Sequence, residues 1–287
     1  MEDRSQIMNR LEGNINSLSL DKSELRQLCD ILEERSRSAA ELQINHLGDD
    51  LEEHHDRPTL EDNIRDAFRL NITIRGDEGK ELFGSVSDVF ESANFPKNVE
   101  AVHVSSDFRA KNIYDFTPGN SFELLLDFSK TDPLNLTTQP SNPTPNISEI
   151  EVRGRDTTWA NGVFNEAMNF ISQRPSSVKL IHRRSIYDVL VWGIGFPFAF
   201  WVAYRLSEPI DRLFGDFPSL VSNGAYLYIT LLVAILFRSL FMYARWVWPS
   251  VELKDNGSGV FPHRVAIGAI TFGIVASLLY DVLWALF

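Results

Sequence analysis

The sequence predicts an α+β soluble domain, mainly an antiparallel sheet with helices on one face, followed by three transmembrane helices. Short segments of alternating polar and apolar residues, separated by turn residues, fill residues 59–175. Such segments form strands that are buried on one face. Three long apolar stretches follow, at about residues 186–206, 220–243 and 265–287. Each is long enough, at about 1.5 Å per residue, to cross a hydrocarbon core roughly 30 Å thick.

The charge is unevenly distributed along the chain. The formal net charge is −12 over 287 residues, and residues 1–180 carry 19 Lys and Arg against 32 Asp and Glu. Such an acidic region disfavours broad electrostatic binding of nucleic acid, although it is compatible with a local basic site. The single cysteine, Cys29, excludes an intrachain disulfide. The acidic N-terminus lacks an apolar core, so we predict no cleavable signal peptide.

Residues 1–58 are predicted to form a helical arm that precedes the folded domain. Residues 1–20 show no period and predict no regular structure. Asp21 and Glu24 then have the spacing of a capping box, and apolar residues follow at helical intervals to about Leu47. Two interpretations of this helix stay open: it lies on the surface of the domain, or it makes a coiled-coil-like contact between subunits.

The domain of residues 59–175 contains strands that alternate in polarity and helices that begin at capping residues. Ser85 and Asp156 are the predicted caps of two helices. The loop from Thr131 to Asn146 contains four prolines. The predicted elements are a helix at 59–67, strands at 68–76, 80–83, 99–105 and 121–128, a short strand near 113–116, a strand ending at Gly154, and helices after Ser85 and after Asp156.

Basic residues at two places are candidate ligand contacts. The segments ITIRGDEG and IEVRGRDT share a strand that ends in Arg-Gly, and Arg beside Gly leaves backbone N–H groups open to a phosphate. The segment HRR before the first apolar stretch is either a further set of ligand contacts or only a topology signal that touches lipid headgroups. The candidate ligand-binding residues are Arg75, Arg153 and Arg155 at the strand ends, and Lys179, His182, Arg183 and Arg184 at the membrane.

The basic residues that flank the apolar stretches predict their orientation. Three precede the first stretch and three more lie between the second and the third, whereas only Arg205 and Arg212 lie between the first and the second. By the positive-inside rule the N-terminal domain is cytoplasmic in a multi-pass inner-membrane protein, and residues 176–287 form a connecting helix and three spans. The six basic residues are Lys179, Arg183, Arg184, Arg245, Lys254 and Arg264.

Charged residues in the apolar stretches form two candidate pairs. Arg205 and Asp281 come to similar depth when consecutive helices run antiparallel, and Asp188 and Arg238 do so near the inner leaflet. Pairing offsets the cost of removing each charge from water. Two interpretations stay open: the charges line a polar interior, or they anchor the helices at the membrane interfaces. Gly193 and Pro197 are predicted to weaken the first helix.

Small residues at every fourth position mark one face of the last stretch. Ala269, Gly273 and Ser277 leave room for the backbone of a partner helix, and the same step reaches Asp281. This face is a candidate seam between subunits of a homo-oligomer. Three helices alone enclose no conduit, so a pore requires several subunits.

Motifs of enzymes and metal sites are absent from the sequence. It contains no Walker loop, no G-x-S-x-G, no His/Cys zinc signature and no H-E-x-x-H. His54 and His55 are adjacent, so they point to different sides of a helix and predict no metal site. We therefore expect neither an enzyme nor a cofactor.

The layout of a cytoplasmic α+β domain before terminal membrane helices resembles the membrane effectors of bacterial anti-phage defence. It is similar in outline to the membrane component of the Hailong system. This resemblance implies a homo-oligomeric channel that is held shut by a single-stranded oligodeoxyadenylate, which a partner nucleotidyltransferase makes.

The leading prediction is thus a ligand-gated, oligomeric membrane effector that permeabilises the inner membrane. The alternative is a non-conducting, membrane-anchored scaffold whose domain and long helix bind a cytoplasmic protein partner. In that case, substitution of Leu25, Leu28 and Leu32 abolishes function, whereas Asp281→Asn leaves it intact.

Overall fold

The computed structural model describes residues 8–48, 57–132, 139–256, 259–270 and 273. The chain divides into two compact units. The first comprises Met1–Thr131, Ser141–Ile186 and Pro249–Asn256, and the remaining residues form the second. The chain therefore leaves the first unit at Ile186, returns to it for eight residues at Pro249, and leaves it again.

The first unit is a mixed α+β structure, as the sequence predicts. Short 3₁₀ turns occur at Asp77–Gly79 and Lys179–His182. Its strands and helices are β1 Asn9–Asn14, β2 Leu18–Leu20, α1 Lys22–His46, α2 Arg57–Ala67, β3 Asn71–Gly76, β4 Glu81–Gly84, α3 Val86–Phe90, β5 Val99–Ser105, α4 Phe108–Asn112, β6 Asn120–Asp127, β7 Glu149–Gly154, α5 Thr157–Ser172 and β8 Val251–Leu253.

Six of these strands form one antiparallel sheet in the order β1-β7-β6-β5-β3-β4. Alternate side chains on one face of this sheet are buried, because that face packs against α1, α3 and α5 in a single hydrophobic core. The opposite face carries polar and charged residues such as Glu123, Glu151 and Arg153. The buried strand residues include Ile72, Ile74, Val102, Val104, Phe122, Leu124, Leu126, Ile150 and Val152.

Helix α1 begins at the predicted capping box. The Asp21 carboxylate accepts from the backbone N–H of Glu24 (2.8 Å), and the Glu24 carboxylate accepts from that of Asp21 (3.0 Å). Residues along the whole helix, from Leu25 to Ile44, lie in the core of the first unit. Residues 9–46, which the sequence assigns to an arm, therefore contribute two strands and a core helix to this unit.

Three local predictions are wrong. The segment after Ser176 forms the 3₁₀ turn Lys179–His182 and a further turn before Ile186, and not the predicted connecting helix. Residues 9–14 and 18–20 form β1 and β2, although residues 1–20 predict no regular structure. Both strands are defined by distant partners, since β1 pairs with β7 and β2 pairs in parallel with β8. Residues 113–116 form no strand; the chain instead makes the short helix α4 just before them. The predicted caps Ser85 and Asp156 are confirmed, as are the strands at the centre of the sheet.

The second unit contains two helices that are long and apolar enough to cross a membrane, Ile186–Arg205 with 20 residues and Ser219–Val247 with 29. The first consists of α6 Ile186–Leu190, a π-helical turn Val191–Gly195 and α7 Phe196–Arg205. The short helix α8 Ser207–Phe214 connects it to α9, Ser219–Val247. A shorter apolar helix, α10, covers Val260–Ile270.

The rest of the predicted third span lies outside the described residues, apart from Gly273. Of the two residues predicted to weaken this helix, Gly193 lies within the π-helical turn and Pro197 lies two residues beyond its end. Proline cannot donate a backbone hydrogen bond, which favours such a departure from the regular helix. Gly195 lies at the contact between the two long helices, where a Cβ would come within 3.2 Å of the Phe237 ring.

Candidate anion-binding cleft

The fold separates the two Arg-Gly strand ends. Arg75 lies in the row of residues that includes Ala101 and Asp127, whereas Arg153 lies opposite Ser121. The two rows cross β6 six residues apart, and the two arginines lie three strands apart across the sheet. Together these offsets correspond to a separation of roughly 25 Å. Because β3 and β7 run antiparallel, equivalent ends of the two strands lie at opposite ends of the sheet. Arg75 and Arg153 therefore do not form one site.

Each of these arginines already has a carboxylate nearby. Arg75 Nε lies 4.0 Å from a carboxylate oxygen of Glu100. Arg153 donates a short hydrogen bond to Glu151, which raises the pKa of the arginine and lowers the pKa of the glutamate. Glu151 also binds Arg10 at 2.7 Å. Arg10, Glu151 and Arg153 thus form one ion-pair network, and Arg75 pairs separately with Glu100.

Arg155 belongs to a different depression, of about 500 Å³, which Gln43 and Asp156 also line. Its backbone N–H donates to the carbonyl of Gly119 (2.9 Å). Its side chain crosses Gly119, where a Cβ would lie 3.1 Å from Arg155 Cδ. The lining includes the acidic Asp156, so Arg155 does not face a purely basic surface.

The four predicted contacts nearest the membrane segment do come together. Lys179, His182, Arg183 and Arg184 line a single cleft of about 330 Å³. Its other walls come from segments far away in the sequence. These further lining residues are Asn16, Pro143, Thr144, Asn146 and Ser250.

Hydrogen bonds around Ser176 and the turn that follows it hold the basic segment in place. Ser176 is buried; its backbone N–H donates to Ser17 Oγ (3.0 Å), and its Oγ donates to the Pro249 carbonyl (3.2 Å). The Lys179 N–H then donates to the Ser176 carbonyl (3.3 Å) and begins the 3₁₀ turn. The basic side chains therefore project from a backbone that is anchored to two other segments.

His182 acts as an anchor within the wall of the cleft. It is only 6 % exposed, and its Nδ1 lies 2.8 Å from Thr144 Oγ1. The backbone N–H of Thr144 also donates to the His182 carbonyl (3.3 Å). These two bonds join the segment 179–184 to the proline-rich loop, so His182 shapes the cleft while the neighbouring arginines face solvent.

The backbone reverses immediately before the first apolar helix. Ser185 has φ of +64°, and its N–H donates to the Ser141 carbonyl (2.9 Å). A non-glycine residue in this left-handed region costs roughly 1–2 kcal/mol. The hydrogen bonds around Ser185, next to the cleft, hold its backbone in this unfavourable conformation.

The cleft is positively charged within an acidic unit. Lys179, Arg183 and Arg184 are exposed, and in the described part of the chain none of them forms an ion pair. Most other arginines of this unit are paired, for example Arg26 with Glu91 and Arg35 with Glu166. The residues that line the cleft include no carboxylate. Three cations with amide and hydroxyl groups beside them form a surface suited to an anion.

The cleft joins the two ends of chain that lead to the long apolar helices. Lys179 to Arg184 directly precede Ile186, and Ser250 follows the helix that ends at Val247. The Ser250 carbonyl accepts from the Leu18 N–H (2.9 Å), at the start of the β2–β8 pair. The wall on the Ser250 side is therefore held by the two-stranded β2–β8 sheet of the first unit.

Among the charged residues predicted in the apolar stretches, Asp188 and Arg238 are brought into one neighbourhood. Tyr187 packs against Phe237 and Phe241, with ring centroids 6.4 and 5.2 Å apart. This contact places the start of α6 beside the turn of α9 that carries Arg238. Asp188 and Arg238 are both half-buried and both engage other groups.

The other predicted membrane residues are only partly described. Arg205 is exposed and lies over the Trp201 ring at 5.8 Å. Its predicted partner Asp281 lies outside the described residues, as does Ser277. Ala269 is exposed, and the described atoms leave open space around Gly273.

Several residues that line the cleft carry no signal in the sequence. Asn16, Thr144, Asn146 and Ser250 carry no motif, and only tertiary pairing brings them to the basic segment. Arg245 is also buried, at 2 % exposed, and its guanidinium lies 4.7 Å from the centroid of the Phe241 ring. Comparison with known protein families, curated proteins and solved structures finds no match to this chain.

Proposed function

We propose that this chain is an oligomeric, multi-pass inner-membrane effector whose cytoplasmic unit binds an anionic ligand in the basic cleft and thereby gates ion passage through its membrane region. The observation that carries the proposal is that the segments of chain next to the two long apolar helices form the walls of the cleft. Its walls are the segment that leads into the first apolar helix and the segment that follows the second. A ligand bound there contacts the basic segment that precedes the first of these helices and Ser250, which follows the second.

The surface of the second unit supports its place in a bilayer. Large apolar side chains project outward along both long helices, and in water such surface would be costly. The third apolar stretch completes three crossings and puts Phe287 outside. The exposed apolar residues include Trp192, Ile194, Phe200, Leu227, Leu231, Ile235 and Leu240.

The ligand class that fits the cleft is a phosphate ester. Arginine binds phosphate oxygens in bidentate fashion, and lysine binds them as a point charge. Thr144 and the amides of Asn16 and Asn146 lie beside these cations. The volume of about 330 Å³ is at the lower end of small-molecule sites. A nucleotide, or one nucleotide unit of a single-stranded oligonucleotide, is therefore the ligand that we propose, as in a defence system with a partner nucleotidyltransferase.

Gating follows from unequal affinity for two arrangements of the cleft. A ligand shifts a conformational equilibrium only as far as it binds one state more tightly than the other. The phosphate draws Lys179, Arg183 and Arg184 together against the Ser250 wall. The few residues that separate the cleft from Ile186 and from Val247 transmit that change to the two helices.

In the scaffold alternative, the surface that would bind a partner protein is not exposed. That function requires Leu25, Leu28 and Leu32 on α1 to bind a partner protein, and all three are buried in the core of the first unit. Their substitution therefore destabilises the fold and no longer distinguishes the two functions.

The test reconstitutes the full chain in liposomes and measures ion flux with pyrophosphate, ATP or a single-stranded oligodeoxyadenylate as probe. We expect flux that changes when one of these phosphate compounds is added. Lys179→Gln combined with Arg184→Gln abolishes the response, whereas Lys97→Gln, an exposed cation of the same unit outside the cleft, retains it. Folded protein that gives no flux with or without every probe contradicts the proposal.

A further inference from the structure

Strand β1 presents an open hydrogen-bonding edge. It pairs with β7, and among the described residues no strand lies on its other side. The Ile15 N–H donates to the Ser148 carbonyl (2.8 Å), which continues the hydrogen-bonded pairs of the odd-numbered residues of β1. Because such pairs alternate in an antiparallel ladder, the backbone groups of Arg10 and Glu12 point outward from the sheet.

The same two residues carry opposite charges on the open face. Their side chains are more than half exposed, with Arg10 at 58 % and Glu12 at 57 %. Arg10 already binds its own Glu12 at 2.6 Å and Glu151 at 2.7 Å. Leu11, between them, packs partly against the core from the other face.

These charges select one register for pairing with a second copy of the strand. The outward backbone groups of β1 belong to its even-numbered residues. When two copies of β1 pair about a twofold axis, each hydrogen-bonded pair therefore joins an even-numbered residue of one copy to an even-numbered residue of the other. A twofold axis at Arg10 places the two Arg10 side chains opposite each other, and an axis at Glu12 does the same with the two Glu12 side chains. Like charges directly opposite each other are destabilising, so both registers are disfavoured. An axis at Leu11 opposes Arg10 to Glu12 of the partner subunit, and the converse pair forms by symmetry.

We propose that two copies of this chain pair β1 with β1, antiparallel about a twofold axis at Leu11, so that their sheets join into one. The four charges then form a ring of alternating sign beside the axis. Edge strands that expose unpaired backbone groups readily pair with another chain. The proposed contact lies in the soluble unit and is independent of the ligand cleft.

Cysteine cross-linking of the full chain in membranes tests the register. In the proposed pair Leu11 faces its own copy at a non-hydrogen-bonded position, where Cα atoms are about 4.5 Å apart, within the range of a disulfide. The native Cys29 is buried and does not compete. Under mild oxidation we expect Leu11→Cys to give a covalent dimer and Phe83→Cys, on the opposite edge strand β4, to stay monomeric.

A second pair of variants covers the case in which Leu11→Cys alters folding. Arg10→Cys mixed with Glu12→Cys yields a cross-linked heterodimer, whereas each variant alone cross-links far less. In the Leu11→Cys variant, the further substitution Arg10→Glu reduces cross-linking. Combining Arg10→Glu with Glu12→Arg, which exchanges the two charges, restores it. Absence of dimer from folded Leu11→Cys and from the mixed pair overturns the proposal, and so does equal cross-linking at Phe83→Cys.

Discussion

The Ser176 hydroxyl donates a hydrogen bond to the carbonyl of Pro249 across 3.2 Å. This bond joins the segment before the first apolar helix to the segment after the second. Both groups lie in the first unit, and the basic cleft lies beside them. A single buried contact therefore relates two parts of the chain on which the proposed gating depends.

Removal of this hydroxyl tests that relationship. Ser176→Ala leaves a buried carbonyl without its donor, so we expect a loss of about 1–2 kcal/mol in the free energy of unfolding. Denaturant unfolding of the purified chain in detergent measures it. Ser177→Ala, at the exposed neighbouring position, serves as the control and is expected to be neutral. Equal effects of the two substitutions contradict the role of the hydrogen bond.

The basic cleft is expected to bind phosphate through its separate cations. Arg183→Gln removes one charge-assisted contact and weakens pyrophosphate binding about tenfold. Lys97→Gln makes a similar change of charge away from the cleft and leaves the affinity unchanged. Titration calorimetry measures both, and affinity that falls with added salt supports an electrostatic site. Unaltered binding by Arg183→Gln argues against this location.

The loop contact of His182 is expected to shape the same site. Thr144→Val removes the hydroxyl that lies 2.8 Å from His182 Nδ1 while conserving the volume of the side chain. Stability falls by about 1 kcal/mol. Pyrophosphate binding weakens as well, because the cleft loses the constraint on one wall. Thermal unfolding with and without pyrophosphate separates the two effects; a variant that matches the native protein in both refutes this role.

Asp66 is expected to contribute pH-dependent stability. Burial raises its pKa, but hydrogen bonds from Tyr114 (2.7 Å) and Arg109 outweigh this effect, so the pKa lies below its ordinary value of 3.8. A depressed pKa means that the stabilisation is present above the ordinary value and is lost as the pH falls through the folded-state pKa. Asp66→Asn should therefore cost about 1–2 kcal/mol at pH 7.

Unfolding curves of the native chain and of Asp66→Asn across the acidic range give the measurement. The difference between them should shrink as the pH falls below 3.8. A difference that stays constant down to the lowest pH at which the protein folds excludes the ionised carboxylate as its source.

The close approach of the two apolar helices at Gly195 is expected to limit side-chain size. A Cβ there would lie 3.1 Å from Val191 Cγ2 and 3.2 Å from Phe237 Cδ1. Gly195→Ala should thus destabilise the helix pair by about 1 kcal/mol through overpacking. Gly193 has open space around it among the described atoms, so Gly193→Ala is the matched control and leaves stability unchanged or slightly raised. Thermal melting in detergent compares the two.

Local chemistry explains which elements could be predicted from the sequence. The capping box of Asp21 and Glu24 needs residues only three positions apart, and the cap at Asp156 acts on Trp159. The alternation in β5 likewise follows from one buried face. The long apolar helices follow from composition alone. Each of these signals is contained within one continuous segment.

Strands β2 and β8 carried too little local signal to be predicted. Leu18 pairs with Val251, and β2 and β8 have only three residues each. A strand of that length shows at most one full alternation, so only the partner across the sheet defines it. The burial of α1 against the sheet is equally a property of the packed unit.

The sequence by itself determined the α+β class, the acidic soluble region, the apolar helices and the basic run before them, because these depend on composition and short-range spacing. The tertiary structure alone decided which arginines lie together. An antiparallel sheet sends the ends of β3 and β7 in opposite directions, which separates Arg75 from Arg153. The β2–β8 pair and the bond between Ser176 and Pro249 instead bring Ser250 to Arg183 and Arg184, since hydrogen bonds between distant segments enclose a cleft that no local pattern encodes.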